Sequence, residues 1–172
     1  MILVLGFGPF GDVMRNPSEV LAGRLDGRRV GGHTIVGRTM PVSFRRSVGL
    51  TCALARRLEP EIVLGIGVAV GRENAEYERR GTNRVGPDRP DVDGASPVSL
   101  EAEGPVFRES RFPADTNTIG RRAGFSGDAG DYVCNAWLYG VLGGLPDTRV
   151  GFLHIPIQGY GATPVLDTLL AG

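Results

Sequence analysis

Three short apolar runs, MILVL at positions 1–5, EIVLGIGVAV at 61–70 and RVGFLHIP at 149–156, punctuate this chain, and helix-like patterns lie between them. Runs so short and so continuously apolar are strands covered on both faces, because a half-solvated strand alternates apolar with polar residues. Strands that alternate with helices require connections that cross back over the sheet. The expected fold is therefore α/β, a three-layer sandwich with a twisted, mostly parallel sheet covered by helices on both faces.

Local signals place the elements. After the first strand, NPSEVLAGRL offers Asn16 as N-cap, Pro17 at the first helical position and Glu19 in the first turn, a well-marked helix start. His33 to Met40 reads as a strand. Phe44, Val48, Thr51, Ala55 and Leu58 recur at helical spacing and predict a helix over 44–58. From Arg72 to about Pro113 the periodicity fails among charged, Gly and Pro residues, which predicts a long loop region with room for a hairpin. A loop of that length in a compact domain is more often functional than idle. Short helices are expected at Thr116–Arg122 and Pro164–Leu170, a better one at Cys134–Leu142, and a strand at Val150–Ile155.

At 172 residues the chain is long enough for one domain with a real core, and it is read as a single domain over 1–172. Nineteen basic residues balance nineteen acidic ones, so there is no net field to gather nucleic acid or a membrane surface. Small, roughly neutral ligands fit better. Two cysteines make neither a disulfide framework nor a zinc module, and two distant histidines argue against metal, so no metal or cofactor is expected. The setting expected is cytoplasmic. The N-terminal run lacks a basic leader and is too short for a membrane span.

Cys134 carries the most chemistry. It ends the glycine-rich SGDAGDYVCN and opens the apolar AWLYGVL, which puts a thiol at a helix N-terminus, where amides and the helix dipole favour the nucleophilic thiolate. His154 closes a buried strand, and Glu78 follows another. Both Cys134 and His154 fall at element boundaries, where an open α/β sheet gathers its site. Among the carboxylates, Glu73, Glu76 and Glu101 compete with Glu78 on sequence alone. Cys52, within an amphipathic helical pattern, reads as a small buried hydrophobe, and His33 reads as a surface residue.

The segment GFGPFG matches the glycine spacing of a dinucleotide loop. Pro9, however, lacks an amide hydrogen where a phosphate would want one, and the next helix begins only near Pro17. Phe7 and Phe10 read first as core residues that cap the strand. The alternative is a turn that receives a flat apolar ring.

In chain order, GFGPFG with NPS, PVSF, GVAVGRENAEYERRGTN, RPDVDG, SGDAGDYVCN and GFLHIP resemble the pyroglutamyl peptidase I family, the pyrrolidone-carboxylate peptidases. That resemblance implies a cysteine exopeptidase that hydrolyses the bond after an N-terminal pyroglutamyl residue. Its triad would be Cys134 as nucleophile, His154 as base and Glu78 as the carboxylate that orients the imidazole. It further implies that Phe7 and Phe10 sandwich the lactam ring, that Asn16 and Val68 complete the substrate site, and that the chain assembles as a homotetramer. The chain departs from the family pattern at Val68, where Gln or Leu is usual. Alignment on RPDVDG also puts Asp88 at the place of a family arginine, with Arg89 beside it. The segment before Cys134 and the C-terminal segment are shorter than usual. A catalytically altered relative acting on another cyclic amide or acyl compound is the second expectation, and a nucleotide-binding α/β protein the third.

Overall fold

The structure is a computed structural model, and it describes residues 1–87, 89–112, 123–159 and 166. A seven-stranded sheet forms its middle layer, in the order β2-β3-β1-β4-β9-β5-β8. The strands are β1 (Ile2–Phe7), β2 (Arg29–Val30), β3 (His33–Met40), β4 (Ile62–Val68), β5 (Glu76–Glu78), β8 (Gly124–Ser126) and β9 (Arg149–Ile155). The pairs β3·β1, β1·β4, β4·β9 and β5·β8 are parallel, whereas β9·β5 and β2·β3 are antiparallel. The sheet is thus mostly parallel, as its apolar runs predict. Three helices are described: α1 (Pro17–Leu25), α2 (Arg46–Leu58) and α3 (Val133–Gly144).

Alternation along the strands divides the core in two. Ile62, Leu64, Ile66 and Val68 of β4 join Leu21, Ala22 and Leu25 of α1 on one face. Leu3, Leu5, Val63, Val150 and Phe152 pack with Cys52, Ala55, Val133, Trp137 and Val141 of α2 and α3 on the other. Trp137 and Phe152 are fully buried there. Trp137 also donates its indole N–H to Thr51 Oγ1 at 2.8 Å, which satisfies its polar atom and ties α3 to α2.

The helix signals translate directly. Asn16 caps α1 by accepting from the Ser18 amide, and Pro17 follows it. For α2 the amide of Arg46 finds Ser43 Oγ at 3.1 Å, so the helix begins two residues later than the apolar spacing suggests. The region 72–113 is more structured than its composition implies. β5 joins the main sheet between β9 and β8, and β6 (Arg80–Thr82) pairs antiparallel with β7 (Phe107–Glu109) across a long excursion. Asn83 holds that excursion by donating to Glu101 O at 2.6 Å and accepting from Leu100 N at 3.2 Å. Asp91 anchors it elsewhere, accepting from the Phe44 amide at 2.8 Å. The expected helices at 116–122 and 164–170 lie outside the described residues, except Leu166. No helix among the described residues is long and apolar enough to cross a membrane.

Candidate active site

The chain leaves β1 toward one side through α1 and returns through α2 to β4 on the other side. The carboxyl ends of β1, β4 and β9 therefore open onto the crevice where strand order reverses, the usual ligand position in such sheets. The register fixes what stands there. Gly67 pairs with His154, so both present the same face, and Phe7 ends β1 among the residues of that face. Val68 presents the opposite face, packed with the α1 cluster.

α3 crosses this face with Cys134 at its second position. A Cβ on Gly67 would lie 2.7 Å from the Cys134 Sγ, so the absence of a side chain at 67 is what admits the thiol to the sheet. Tyr132, the N-cap of α3, makes no side-chain cap.

Behind His154 stands Glu78. The antiparallel register of β5 against β9 pairs Glu76 with His154, so Glu78, two residues on, shares the face and reaches across diagonally. Its Oε1 lies 2.6 Å from His154 Nδ1. An ionised carboxylate only accepts, so Nδ1 carries the hydrogen and Nε2 is left as the basic nitrogen. The ring of His154 also meets the edge of Phe152, with centroids 4.9 Å apart. Of the carboxylates that compete in sequence, Glu78 alone is fully buried; Glu73 is exposed, Glu76 is half-buried against Arg72, and Glu101 pairs with Arg108. Burial works to raise the Glu78 pKa. The hydrogen bond and charge of His154, with Ser126 and the Arg72 cation, overcome that and hold it below its ordinary value.

The thiol departs from the sequence expectation. Burial, reinforced by the negative charge of Glu78, pushes the Cys134 pKa up to about 12, against the weaker pull of Arg72, its own backbone amide and Arg89. Burial here works against the helix terminus, which favours the thiolate.

A cavity of about 350 Å³ lies over these groups, lined by Phe7, Phe10, Asn16, Val68, Cys134 and His154 among others. Phe7 is buried, edge-on to Trp137 at 6.2 Å, and Phe10 is half-buried, tilted against Tyr132 at 6.4 Å. Both residues thus combine the core role with a cavity wall. Asn16, almost fully buried, donates to Gly8 O at 3.0 Å and accepts from the hydroxyl and amide of Ser18. It ties the GFGPFG turn to α1. Three amides of that turn are engaged: Phe7 N with Ser18 Oγ, Gly8 N with Met40 O and Phe10 N with Val13 O. A Cβ on Gly6 would run into the Ser18 carbonyl, so this glycine serves helix packing and not phosphate approach. Val68 can offer the cavity only backbone, its side chain being in the opposite core.

Cys52 is buried in α2 and His33 is partly exposed beside Glu61, as their patterns suggest. Arg89 stands at the cavity mouth with its guanidinium 4.7 Å from the Tyr132 ring centroid. Asp88 lies outside the described residues. Among the described residues, no three of His, Cys, Asp and Glu converge as a metal site.

Sequence reasoning passes over three residues here. Tyr132 forms a wall of the cavity, Gly67 makes room for the thiol, and Arg72 contacts Glu78. Only Arg72 leaves a legible trace, a basic residue upstream of Glu78 in GRENAEYE. A thiol, an imidazole with a free basic nitrogen and a buried carboxylate, converging on a half-apolar cavity, can carry out acyl transfer with general-base assistance.

Known proteins with this pattern are found in sequence and in structure. The family model for pyroglutamyl peptidase matches residues 1–162. The pyrrolidone-carboxylate peptidase of Thermococcus litoralis is 35% identical over 170 residues, covering 90% of this chain and 76% of the relative. Pyrrolidone-carboxylate peptidase 2 of Photorhabdus laumondii is 34% identical over 187 residues, covering 98% and 86%. The crystal structure of Bacillus amyloliquefaciens pyroglutamyl peptidase I superposes with a TM-score of 0.90 at 28% identity, covering 99% of this chain and 94% of that one. With fold, sequence and family model in agreement, this chain belongs to the pyroglutamyl peptidase family.

Proposed function

We propose that residues 1–172 form one catalytic domain, a cysteine exopeptidase that removes an N-terminal pyroglutamyl residue from peptides, with Cys134 as nucleophile, His154 as base and Glu78 as orienting carboxylate. The observation that carries the reading is the pairing of Glu78 Oε1 with His154 Nδ1 beside the Gly67 gap that holds the Cys134 thiol. Family membership supplies the substrate class.

Burial favours the protonated thiol, so attack calls for a base. His154 Nε2 takes the Cys134 proton as Sγ adds to the pyroglutamyl carbonyl, while Glu78 stabilises the imidazolium. The first-turn amides of α3, Cys134 N foremost, receive the developing oxyanion. The C–N bond then breaks, the leaving amine takes the proton from His154, and a thioester remains. Water, deprotonated by His154, hydrolyses it to free pyroglutamate and restores the thiol. Phe7 and Phe10 face the lactam, whose uncharged ring suits an apolar slot with a few backbone hydrogen bonds. Asn16 acts by holding the turn that carries both rings, and Val68 by its backbone.

Hydrolysis of a fluorogenic pyroglutamyl amide, set beside the prolyl and glutamyl amides and repeated with Cys134→Ala, tests this. Turnover of the pyroglutamyl amide alone, lost in the variant, supports it; turnover kept by the variant overturns the nucleophile. The cytoplasmic setting and homotetramer that go with this reading rest on composition and family resemblance. Light scattering against the 18.3 kDa chain mass tests the assembly.

A further inference from the structure

Arg72 makes more polar contacts around the triad than any of its members. Its Nη1 lies 2.6 Å from Glu78 Oε1 and 2.6 Å from Glu76 Oε2. Its Nη2 donates to Asp128 O at 2.8 Å and to Ser126 Oγ at 3.3 Å. Both terminal nitrogens are thereby engaged by the protein, so although Arg72 borders the cavity it is not placed to anchor a substrate carboxylate. Its two ends touch the two halves of the site. One holds the oxygen that His154 also uses, and the other holds the Ser126–Gly130 turn that leads into α3.

We propose that Arg72 is a positioning residue, a strut that couples the Glu78–His154 pair to the segment delivering Cys134. The inference rests on the triad reading above. Lysine would keep the charge but lose the fork that spans both halves. The groups that face Glu78 are His154 from β9, Arg72 from the segment after β4, Glu76 from its own strand, Ser126 from β8 and, through charge, Cys134 from α3. Among them Arg72 is the permanent cation. Its charge lowers both the Glu78 and Cys134 pKa values, so its removal must move both titrations upward.

The test assays Arg72→Met and Arg72→Lys on a pyroglutamyl amide across pH, with wild type and Cys134→Ala alongside. Activity surviving in Cys134→Ala would sink the triad reading itself; the Arg72 variants address the strut. Arg72→Met should lose about 10²-fold in kcat with KM little changed, as expected of misplaced reacting groups. Its acid limb and the pH onset of Cys134 alkylation by iodoacetamide should both move to higher pH. Arg72→Lys should restore the limb but not the rate. A wild-type limb and alkylation profile in Arg72→Met, or a loss confined to KM, overturns the proposal. Should Arg72→Met not fold, Arg72→Lys decides: reduced kcat with a retained limb supports the strut, and wild-type kcat overturns it.

Discussion

The buried carboxylate of Glu78 gives one oxygen to His154 and leaves the other alone: Oε1 meets Nδ1 at 2.6 Å, while Oε2 is buried and, among the described residues, meets no hydrogen-bond partner. The amide of Glu78→Gln would have to put its NH2 either into that unpartnered space or against Nδ1. The first leaves buried donors unsatisfied, at about 1–3 kcal/mol. The second forces the wrong imidazole tautomer. Glu78→Gln is therefore expected to fold with reduced stability and to lose about 10³-fold or more in kcat, by analogy with the neutralised carboxylate of serine-protease triads. Denaturant melts across pH add a signed test. Because folding holds the Glu78 pKa below its ordinary 4.5, its contribution is fully present above that pH and fades as pH falls through the folded value. Wild type should lose stability on acidification below 4.5 more steeply than Glu78→Gln, and equal slopes would contradict the assignment.

Thiol titration separates the two cysteines. Both are pushed up by burial, Cys134 to about 12, so neither is ionised to a useful extent at neutral pH in the free protein. Iodoacetamide should therefore react slowly at pH 7 and faster as pH rises, at Cys134 alone, because only Cys134 borders the cavity. Peptide mapping after partial labelling reads this out. A fast, pH-independent plateau between pH 6 and 8 would show instead a preformed thiolate. Cys52→Ala should retain activity, with a modest stability loss from the space opened against Gly144.

The contrast between these cysteines shows how far the sequence could be read. Buried strands and the Asn16–Pro17 cap are local signals, so the fold class and α1 follow from periodicity and capping alone. β5 to β8 escape because three-residue strands carry no period; they exist only through pairing with distant partners. Cys134 is legible as a residue at a helix start, yet its ionisation is not. That depends on desolvation and on Glu78, which tertiary structure brings near. Glu78 itself cannot be told from Glu76 by pattern, since burial and register separate them.

Gly67 offers a test of how closely the thiol is fitted to the sheet. An added Cβ would stand 2.7 Å from Cys134 Sγ and 2.7 Å from Cζ of the fully buried Phe152. Gly67→Ala should cost about 1–3 kcal/mol through overpacking. It should also lower kcat by about 10²-fold, because the displaced atom is the nucleophile. Gly65→Ala, whose Cβ would strike Trp137 and Phe152 instead, is the control: it should destabilise with a smaller effect on kcat. Equal kcat losses per unit of destabilisation in both would mean that Gly67 matters only for packing.

Asn16 joins two jobs that substitution can separate. Its Oδ1 caps α1 at the Ser18 amide, and its Nδ2 holds Gly8 O in the turn between Phe7 and Phe10. Asn16→Ala removes both, and a lost cap alone costs about 1 kcal/mol. Asn16→Ser keeps a capping oxygen but cannot span to Gly8 in the same way. Stability should therefore fall in Asn16→Ala and recover largely in Asn16→Ser. KM for a pyroglutamyl amide should rise in both, because the turn carrying the aromatic walls is released in each. Thermal melts and steady-state kinetics on the pair check this, and a KM that recovers together with stability would show that the cap alone holds the turn.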